Sequence, residues 1–373
     1  MPILWRYLIR DYLKIVLLSV AAFLALLLTM RLDDIAHFAA LGAPWELVLS
    51  FALHQIPYIL PVALPLSCLI ASWLLADRLS SSDELTTLRS SGVGLATLLA
   101  PLLFTAALLS IGNFLLVSEV ATASHLQSHW LKAEVRALNP LLLLNNKQLL
   151  RLKGIFFVFF VPSHLGEYAT DTVLAIPYPR KQQILLILAK EMRASSLQFE
   201  QKRLSLVSYL PHGDVIVENI QDFSSSTPDL RPFLQKMSWS LQNDYLGFSS
   251  LLQRLYAQKK EWKVHPEEGH QQELRKNFYS TIGEVAKRFC LALAPFSFSL
   301  LGLACGLKIG RKASWIGLGW TLGLTTLFLV AFFTAKGMDK KLGLMLTLYF
   351  FPHFLIVGIS LRQLSRLNRG IET

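Results

Sequence analysis

Six long stretches of this chain contain no Asp, Glu, Lys or Arg, and they constrain its fold more than any other feature. They occupy residues 15–30, 47–76, 93–118, 289–307, 313–335 and 342–361. A helix needs about 20 mostly apolar residues to cross the hydrocarbon core of a bilayer. The first stretch is short, but Tyr12 and Leu13 extend it, and Lys14 can reach the interface with its ammonium group. The sequence therefore predicts a polytopic α-helical membrane protein with six transmembrane helices.

The positions of the Lys and Arg residues predict how these helices are oriented. The chain is 53% hydrophobic and 16% charged, with a formal net charge of +11. A nucleic-acid-binding protein would gather its cations on one water-soluble face, whereas here many stand at the ends of apolar stretches. With a cytoplasmic N-terminus, the short inner segments hold eleven cations: Arg6, Arg10, Lys14, Arg78, Arg89, Lys308, Arg311, Lys312, Arg362, Arg366 and Arg369. The short outer segments hold four: Arg31, Lys336, Lys340 and Lys341. This bias predicts that both termini are cytoplasmic.

The segment between the third and fourth apolar stretches is predicted to form a domain outside the membrane. It opens with a helical continuation that begins at residue 119. Alternating apolar and polar residues then predict short strands, with turns at Gln201 and Lys202 and at residues 211–214, before a polar linker over 258–276. Short strands separated by turns are typical of a β-sandwich or jelly roll. The predicted domains are 1–118 with three helices, 119–280 outside, and 281–373 with three helices and a cytoplasmic tail.

No motif in the sequence indicates catalysis or nucleotide binding. The sequence contains no GxxxxGK[ST] phosphate loop, no GxSxG elbow and no HExxH zinc motif. Gly302, Gly306 and Gly310 recur every four residues, which is a helix-packing spacing. The chain is therefore predicted not to be an enzyme, and any ATP hydrolysis must occur on another chain.

Histidine and cysteine residues give little support for a metal site. His125 and His129 stand four apart on a predicted helix, a spacing that could hold zinc. Two histidines without a clear third ligand are more often interfacial residues. Cys68, Cys290 and Cys305 all fall within apolar stretches, where they are interpreted as small core residues rather than a disulfide framework. The sequence predicts no metal and no cofactor.

A short charged helix is predicted between the second and third spans, at residues 81–92. Ser81 or Ser82 could cap its N-terminus, and Asp83 and Glu84 would suit the positive end of its dipole. Arg89 lies near its C-terminal end, and Gly92 would stop it. Leu85 and Leu88, three apart, would lie on one face and could enter a groove of a partner. A simple connector and a docking helix for a cytoplasmic protein both remain open.

Arg31 also has two interpretations. It is a cation at the outer end of the first span, followed by Asp33 and Asp34. The commoner role for such a residue is an interfacial anchor. The functional alternative is a contact with an anionic lipid headgroup in the outer leaflet.

Taken together, these segments resemble the lipopolysaccharide-export permeases of the LptF/LptG family. The resemblance rests on the N-terminal segment 6–14, the proline-rich run 57–66, the charged helix 83–92, residues 284–288 before Pro295, and the loop 308–312. It covers essentially the full chain, and the opening segment is slightly more similar to LptF than to LptG. The outer β domain departs most from the family pattern.

The resemblance implies a function in ATP-driven export. Family members form a heterodimer of two permeases with a dimeric cytoplasmic ATPase, LptB. They extract lipopolysaccharide from the outer leaflet of the bacterial inner membrane and pass it, through a periplasmic β-jellyroll, to a bridge of LptC- and LptA-like proteins. This implies three transmembrane helices on each side of an inserted periplasmic jellyroll.

The resemblance also implies roles for particular residues. The ATPase coupling helix would comprise Asp83, Glu84, Leu85, Leu88, Arg89 and Gly92. Arg31 would take the position where the family places basic residues for lipid A phosphates. A membrane-anchored enzyme, or an adaptor subunit of another envelope exporter, remains the alternative.

Overall fold

The computed structural model shows a mostly helical chain. It describes residues 2–40, 43–138, 149–152, 155–162, 168–178, 183–194, 199–209, 215–225, 242–264, 268–308, 315–338 and 341–369. The first helices are α1 (Pro2–Thr29), α2 (Leu32–Ala40), α3 (Trp45–Ser81), α4 (Glu84–Ser90), α5 (Leu95–Leu115) and α6 (Ala121–Leu138). After the central strands come α7 (Phe248–Val264), α8 (Glu268–Gly306), α9 (Trp315–Lys336) and α10 (Leu342–Asn368).

Six helical segments in the described part of the chain are long and apolar enough to cross a membrane. They are Ile3–Thr29, Trp45–Ser81, Leu95–Lys132, Leu274–Gly306, Gly317–Lys336 and Leu342–Asn368. They coincide with the six apolar stretches, so the prediction of six helices long and apolar enough to span a membrane is confirmed. Membrane-spanning helices satisfy their backbone groups internally, which explains why local hydropathy suffices to find them.

The third span contains a local irregularity toward its C-terminal end. Residues Leu116–Val120 form a π-helical turn that joins α5 to α6 without a break. Such turns often mark functional positions. Within this turn, the Glu119 carboxylate accepts a hydrogen bond of 3.3 Å from the backbone N–H of Phe248, the first residue of α7. A carboxylate at a helix N-terminus is favourable because the backbone N–H groups there lack helical partners.

Two compact units can be distinguished. The larger contains most of each membrane-spanning helix, while the first residues of α3 and the last residues of α6 belong to the other. In the larger unit, glycines of α8 lie against the backbone of α3. A Cβ atom on Gly302 would lie 2.6 Å from the backbone oxygen of Leu69, and one on Gly306 would lie 2.7 Å from that of Trp73. The helices therefore approach to backbone contact. This confirms the interpretation of the glycine spacing as a helix-packing feature, although Gly310 lies outside the described residues.

The other unit contains the described residues within Leu32–Ala52 and Gln127–Ser240. A small apolar core centred on Phe38, Phe51 and Val135 joins its helical parts. The rings of Phe38 and Phe51 stack with centroids 4.5 Å apart. Its six strands are β1 (Leu149–Leu152), β2 (Ile155–Pro162), β3 (Tyr168–Tyr178), β4 (Gln183–Ala194), β5 (Phe199–Tyr209) and β6 (Val215–Ser225).

These strands form one antiparallel sheet in chain order. The turn predicted at Gln201 and Lys202 is wrong, because β5 runs through both residues. In register, Lys202 lies opposite Glu191 on β4 and Asp222 on β6. The turn predicted at 211–214 lies outside the described residues. The jellyroll stays a prediction, since stretches 139–148 and 226–241 of the central region are also outside the described part.

The segment predicted as a polar linker, 258–276, differs from the expectation. The described residues of this segment belong to α7, which ends at Val264, and to α8, which begins at Glu268. The polar composition suggested a linker, but a helix whose surface faces water also consists mostly of polar residues.

Candidate functional site

A cavity of about 460 Å³ lies in the larger unit, lined by the C-terminal end of α1 and by parts of α3, α6, α8 and α9. One part of its wall is apolar and includes Leu27, Ile59, Val62, Leu291, Phe332 and Phe333. Another part carries ionisable groups, namely Arg31, His125, Asp244, Glu284, Lys287 and Lys336. The cavity thus combines an apolar surface with cations and carboxylates at one site.

Arg31, predicted from the sequence as a candidate lipid contact, lines this cavity. It follows α1, and its guanidinium carbon lies 5.3 Å from the centroid of the Tyr58 ring. The Tyr58 ring stacks on His125 at 4.7 Å, and His125 stacks on Tyr245 at 4.8 Å. A cation over an aromatic face is held by the ring quadrupole. The row of rings therefore positions the Arg31 guanidinium beside the cavity.

The stack also changes the interpretation of the two histidines. His125 lies between two tyrosine rings rather than in a ligand cluster. Within the described residues, no group of three or more His, Cys, Asp or Glu side chains is placed to hold a metal ion. The cysteines Cys68, Cys290 and Cys305 are buried and free, which confirms their interpretation as core residues.

Lys287 is the centre of an ionic network on the cavity wall. Its Nζ lies 2.5 Å from Glu284 Oε2 and 3.2 Å from Asp244 Oδ1. Glu284 Oε1 in turn accepts a hydrogen bond of 3.2 Å from Nε of Arg288, whose side chain is fully buried. Arg288 also donates to the backbone oxygen of Leu246 at 2.7 Å. Buried charges are tolerated when paired in this way, and the network holds the segment 243–246 against α8.

Asp244 is ionised by this network. Burial alone would raise the pKa of its carboxyl, but the hydrogen bond with Glu284 and the neighbouring Lys287 ammonium outweigh burial and hold the pKa well below its usual range. The cavity wall therefore carries three cations, Arg31, Lys287 and Lys336, and two carboxyl groups, those of Asp244 and Glu284. The cations exceed the acidic groups, so the wall favours an anionic group.

Sequence reasoning missed Asp244, Tyr245, Glu284 and Lys287 as part of the site. Glu284, Lys287 and Arg288 are spaced three and four apart, which is the spacing of ion pairs on one helix face. That spacing could have indicated a network. Nothing in the local sequence indicated that Asp244 and Tyr245, about forty residues earlier, would join this network. The local pattern of a short polar segment does not determine which distant residues it contacts.

Helix α4, between the second and third spans, begins differently from the prediction. Asp83 occupies the N-cap position with φ of 57°, and its side chain makes no capping hydrogen bond. The prediction of Ser81 or Ser82 as the cap is wrong. Helix α3 continues to Ser81, so both hydroxyls donate back to the oxygen of Arg78, at 3.1 and 2.8 Å. Serine hydroxyls commonly form such bonds to preceding carbonyls.

The end of α4 confirms the predicted stop at Gly92. Gly92 has φ of +85°, the left-handed conformation that glycine adopts without steric cost. Its N–H donates to Arg89 O at 3.0 Å, and the N–H of Val93 donates to Leu88 O at 3.1 Å. This pair of bonds is the Schellman arrangement, which satisfies carbonyls at the end of a helix.

Helix α4 packs its apolar face on the chain itself. Leu85 is only 4% exposed and belongs to a buried cluster with Leu8, Tyr12 and Leu367, while Leu88 packs against the same cluster. Leu85 is therefore unavailable as an anchor in a partner's groove. The exposed residues of α4 are Thr86, Thr87 and Ser90.

Comparison with known proteins gives one match that covers nearly the whole chain. Residues 6–366 match the family model described as "Lipopolysaccharide export system permease LptF/LptG". No curated protein matches the chain.

Proposed function

The chain belongs to the LptF/LptG family of lipopolysaccharide export permeases, and from this premise we propose that its outer cavity receives lipopolysaccharide for ATP-driven export. The observation that carries the proposal is the cavity itself. It places apolar side chains beside Arg31, Lys287 and Lys336. Lipid A presents acyl chains next to phosphates, so its two chemistries match the two parts of the wall.

Each part of the wall contributes a different kind of binding energy. Phe332 and Phe333 offer apolar surface to acyl chains, and each buried methylene contributes about 0.8 kcal/mol. Arg31 offers a planar fork of donors that suits phosphate, and its position over Tyr58 limits the freedom that binding would remove. Removing a lipid with several acyl chains from the bilayer costs free energy, because the apolar surface of the chains leaves a favourable apolar environment. Extraction therefore needs an external source of free energy.

A second permease would complete the site. A cavity of about 460 Å³ is of the size that holds a single small ligand, within the common range of about 300–1,000 Å³. Lipopolysaccharide carries several acyl chains and needs more room. A heterodimer of two permeases, each contributing a cavity wall, would provide it.

The energy source in this proposal is a cytoplasmic ATPase dimer that docks on α4. The docking surface is the exposed side of the helix, with Glu84 in its first turn and Thr86, Thr87 and Ser90 along it. Asp83 and Gly92 define the ends of the helix, and Leu85 and Leu88 fix it to the bundle. A helix held in this way can pass a displacement to the membrane-spanning helices, which a flexible connector could not do.

The proposed arrangement places the protein in the bacterial inner membrane with both termini in the cytoplasm. The domains would be 1–118, the periplasmic part 119–280, and 281–373. The antiparallel sheet of β1–β6 would receive lipid from the cavity and pass it to LptC- and LptA-like bridge proteins. The bias of cations toward the inner segments supports this orientation.

Charge reversal at the cavity tests the proposal. The full complex would be purified with Arg31→Glu and, as a matched control, with Lys341→Glu, an exposed cation next to α10 that does not line the cavity. We expect Arg31→Glu to reduce copurified lipopolysaccharide by about tenfold or more, because hydrogen bonds to charged groups contribute about 1.5–3 kcal/mol. The control should retain parental binding. Equal lipopolysaccharide content in the two variants would return Arg31 to the role of an interfacial anchor.

A further inference from the structure

Arg89 of α4 contacts the C-terminal end of the last membrane-spanning helix. One terminal nitrogen of its guanidinium donates to Leu367 O at 3.3 Å, and the other donates to Asn368 O at 3.4 Å. These carbonyls belong to the last two residues of α10, beyond which a helix has no further N–H groups of its own to offer them. The end of a helix is also its negative pole, which favours a nearby cation. The contact is thus both a pair of hydrogen bonds and a charge–dipole interaction.

Apolar packing supports the same contact. Leu85 of α4 and Leu367 of α10 belong to one buried cluster, and Leu88 and Leu364 pack against its edge. Arg89 therefore lies beside an apolar junction between the two helices rather than on an isolated surface. Its position is fixed from two directions, by the helix that carries it and by the helix end that it binds.

The connectivity of the chain gives this contact mechanical importance. Peptide segments join α4 directly to α3 and α5, its neighbours in sequence. By contrast, Arg89 and Leu367 are separated by 278 positions. A displacement of α4 can thus reach α10 through noncovalent contacts. Arg89 supplies two of these contacts as hydrogen bonds, which depend on direction as well as distance. The inner end of α3 is tied elsewhere, by Arg78 to Asp11 at 3.1 Å and by Asp77 to Lys308 at 2.6 Å.

We propose that Arg89 is a positioning residue that fastens the end of α10 to α4, so that movement of α4 also moves the last membrane-spanning helix. This role differs from the partner contact that the sequence suggested for Arg89. It rests on the proposed function, since an ATPase docked on α4 is what would move it. The contact itself exists without the ATPase and can be tested separately.

The first measurement tests the contact in the absence of nucleotide. Hydrogen exchange would be compared in the full complex for the parental protein, Arg89→Gln and Arg362→Gln. Arg362 is an exposed cation on α10, so its removal matches the loss of charge but leaves the contact intact. Arg89→Gln should accelerate exchange of amides 366–369, including Arg369, whose N–H bonds to Arg366 O at 3.0 Å. Arg362→Gln should not. Unchanged exchange in Arg89→Gln would overturn the proposal.

The second measurement adds a nonhydrolysable ATP analogue. In the parental complex, exchange should change in both α4 and residues 362–369. In Arg89→Gln, the change in α4 should persist and the change in 362–369 should disappear. The amount of lipopolysaccharide released per ATP should also fall about fivefold or more, because coupling between two sites typically changes a binding constant by at least about fivefold. Arg89→Lys, which keeps a cation but not the two-armed donor, should be intermediate.

The outcomes separate the two proposals. If the α10 end still responds to nucleotide in Arg89→Gln, Arg89 does not carry the movement and the inference is wrong. If α4 itself does not respond in the parental complex, docking of an ATPase on α4 is wrong. If Arg89→Gln releases the ATPase from the complex, Arg89 is a partner contact, as the sequence suggested, and the inference is again wrong.

Discussion

The contact between α8 and α3 allows a quantitative prediction about Gly302. A Cβ atom at this position would overlap Ser72 Oγ and would lie 2.6 Å from Leu69 O and 2.9 Å from Trp73 N. The last two atoms belong to the backbone of α3. Gly302→Ala therefore cannot be accommodated by rotating one side chain, and the two helices must separate.

The magnitude follows from two opposing effects. Inserting a methyl group into a well-packed contact typically costs about 1–3 kcal/mol. Alanine is more favourable than glycine within a helix by about 0.8–1 kcal/mol, which offsets part of this cost. We expect a net loss of about 1 kcal/mol, and at most about 2 kcal/mol, in the free energy of unfolding. Combining Gly302→Ala with Ser72→Ala should not restore stability, because both backbone contacts remain.

The cysteines of the chain provide the assay. Cys68 on α3 and Cys305 on α8 are buried and free, so a thiol-reactive fluorescent dye labels them when the helices separate. Thermal unfolding of purified protein would be followed by this labelling, with Gly323→Ala on α9 as the matched control. No atom lies within 4 Å of a Cβ placed at Gly323. The control should unfold at or slightly above the parental temperature, and Gly302→Ala about 1–3 degrees below it.

One result would refute the packing argument directly. If Gly302→Ala and Gly323→Ala unfold at the same temperature, then α8 and α3 do not meet at backbone distance. A loss for Gly302→Ala that Ser72→Ala fully restores would also contradict the argument, since it would assign the whole cost to one side chain.

Two further predictions concern orientation and acid sensitivity. Reporter fusions at Ser224 should indicate the periplasm, and fusions at Ser82 and Lys312 the cytoplasm; a cytoplasmic signal from Ser224 would contradict the proposed orientation. Because the pKa of Asp244 is lowered in the folded protein, its contribution to stability is present above about pH 4, the range of an unfolded Asp, and is lost as the pH falls below it. The parental unfolding temperature should therefore fall more between about pH 5 and pH 3 than that of Asp244→Asn. Identical pH profiles for the two proteins would show that Asp244 is not held ionised by its neighbours.

The sequence by itself determined the features that depend on a short stretch of chain. Membrane-spanning helices were found because crossing a bilayer depends on the summed hydropathy of about 20 consecutive residues. The stop of α4 was found because Gly92 adopts a left-handed conformation at low cost. Arg31 was singled out by its place at the end of a span, and that place brings it to the cavity.

Only the tertiary structure decided which of these local features meet. Tyr245 reaches His125 and Asp244 reaches Lys287 because the chain returns from the central strands to the membrane-spanning unit. Similarly, the helical period placed Leu85 and Leu88 on one face but could not say whether that face meets a partner or the chain itself. Contacts between distant segments depend on the packing of whole helices, and the same local pattern is compatible with many such packings.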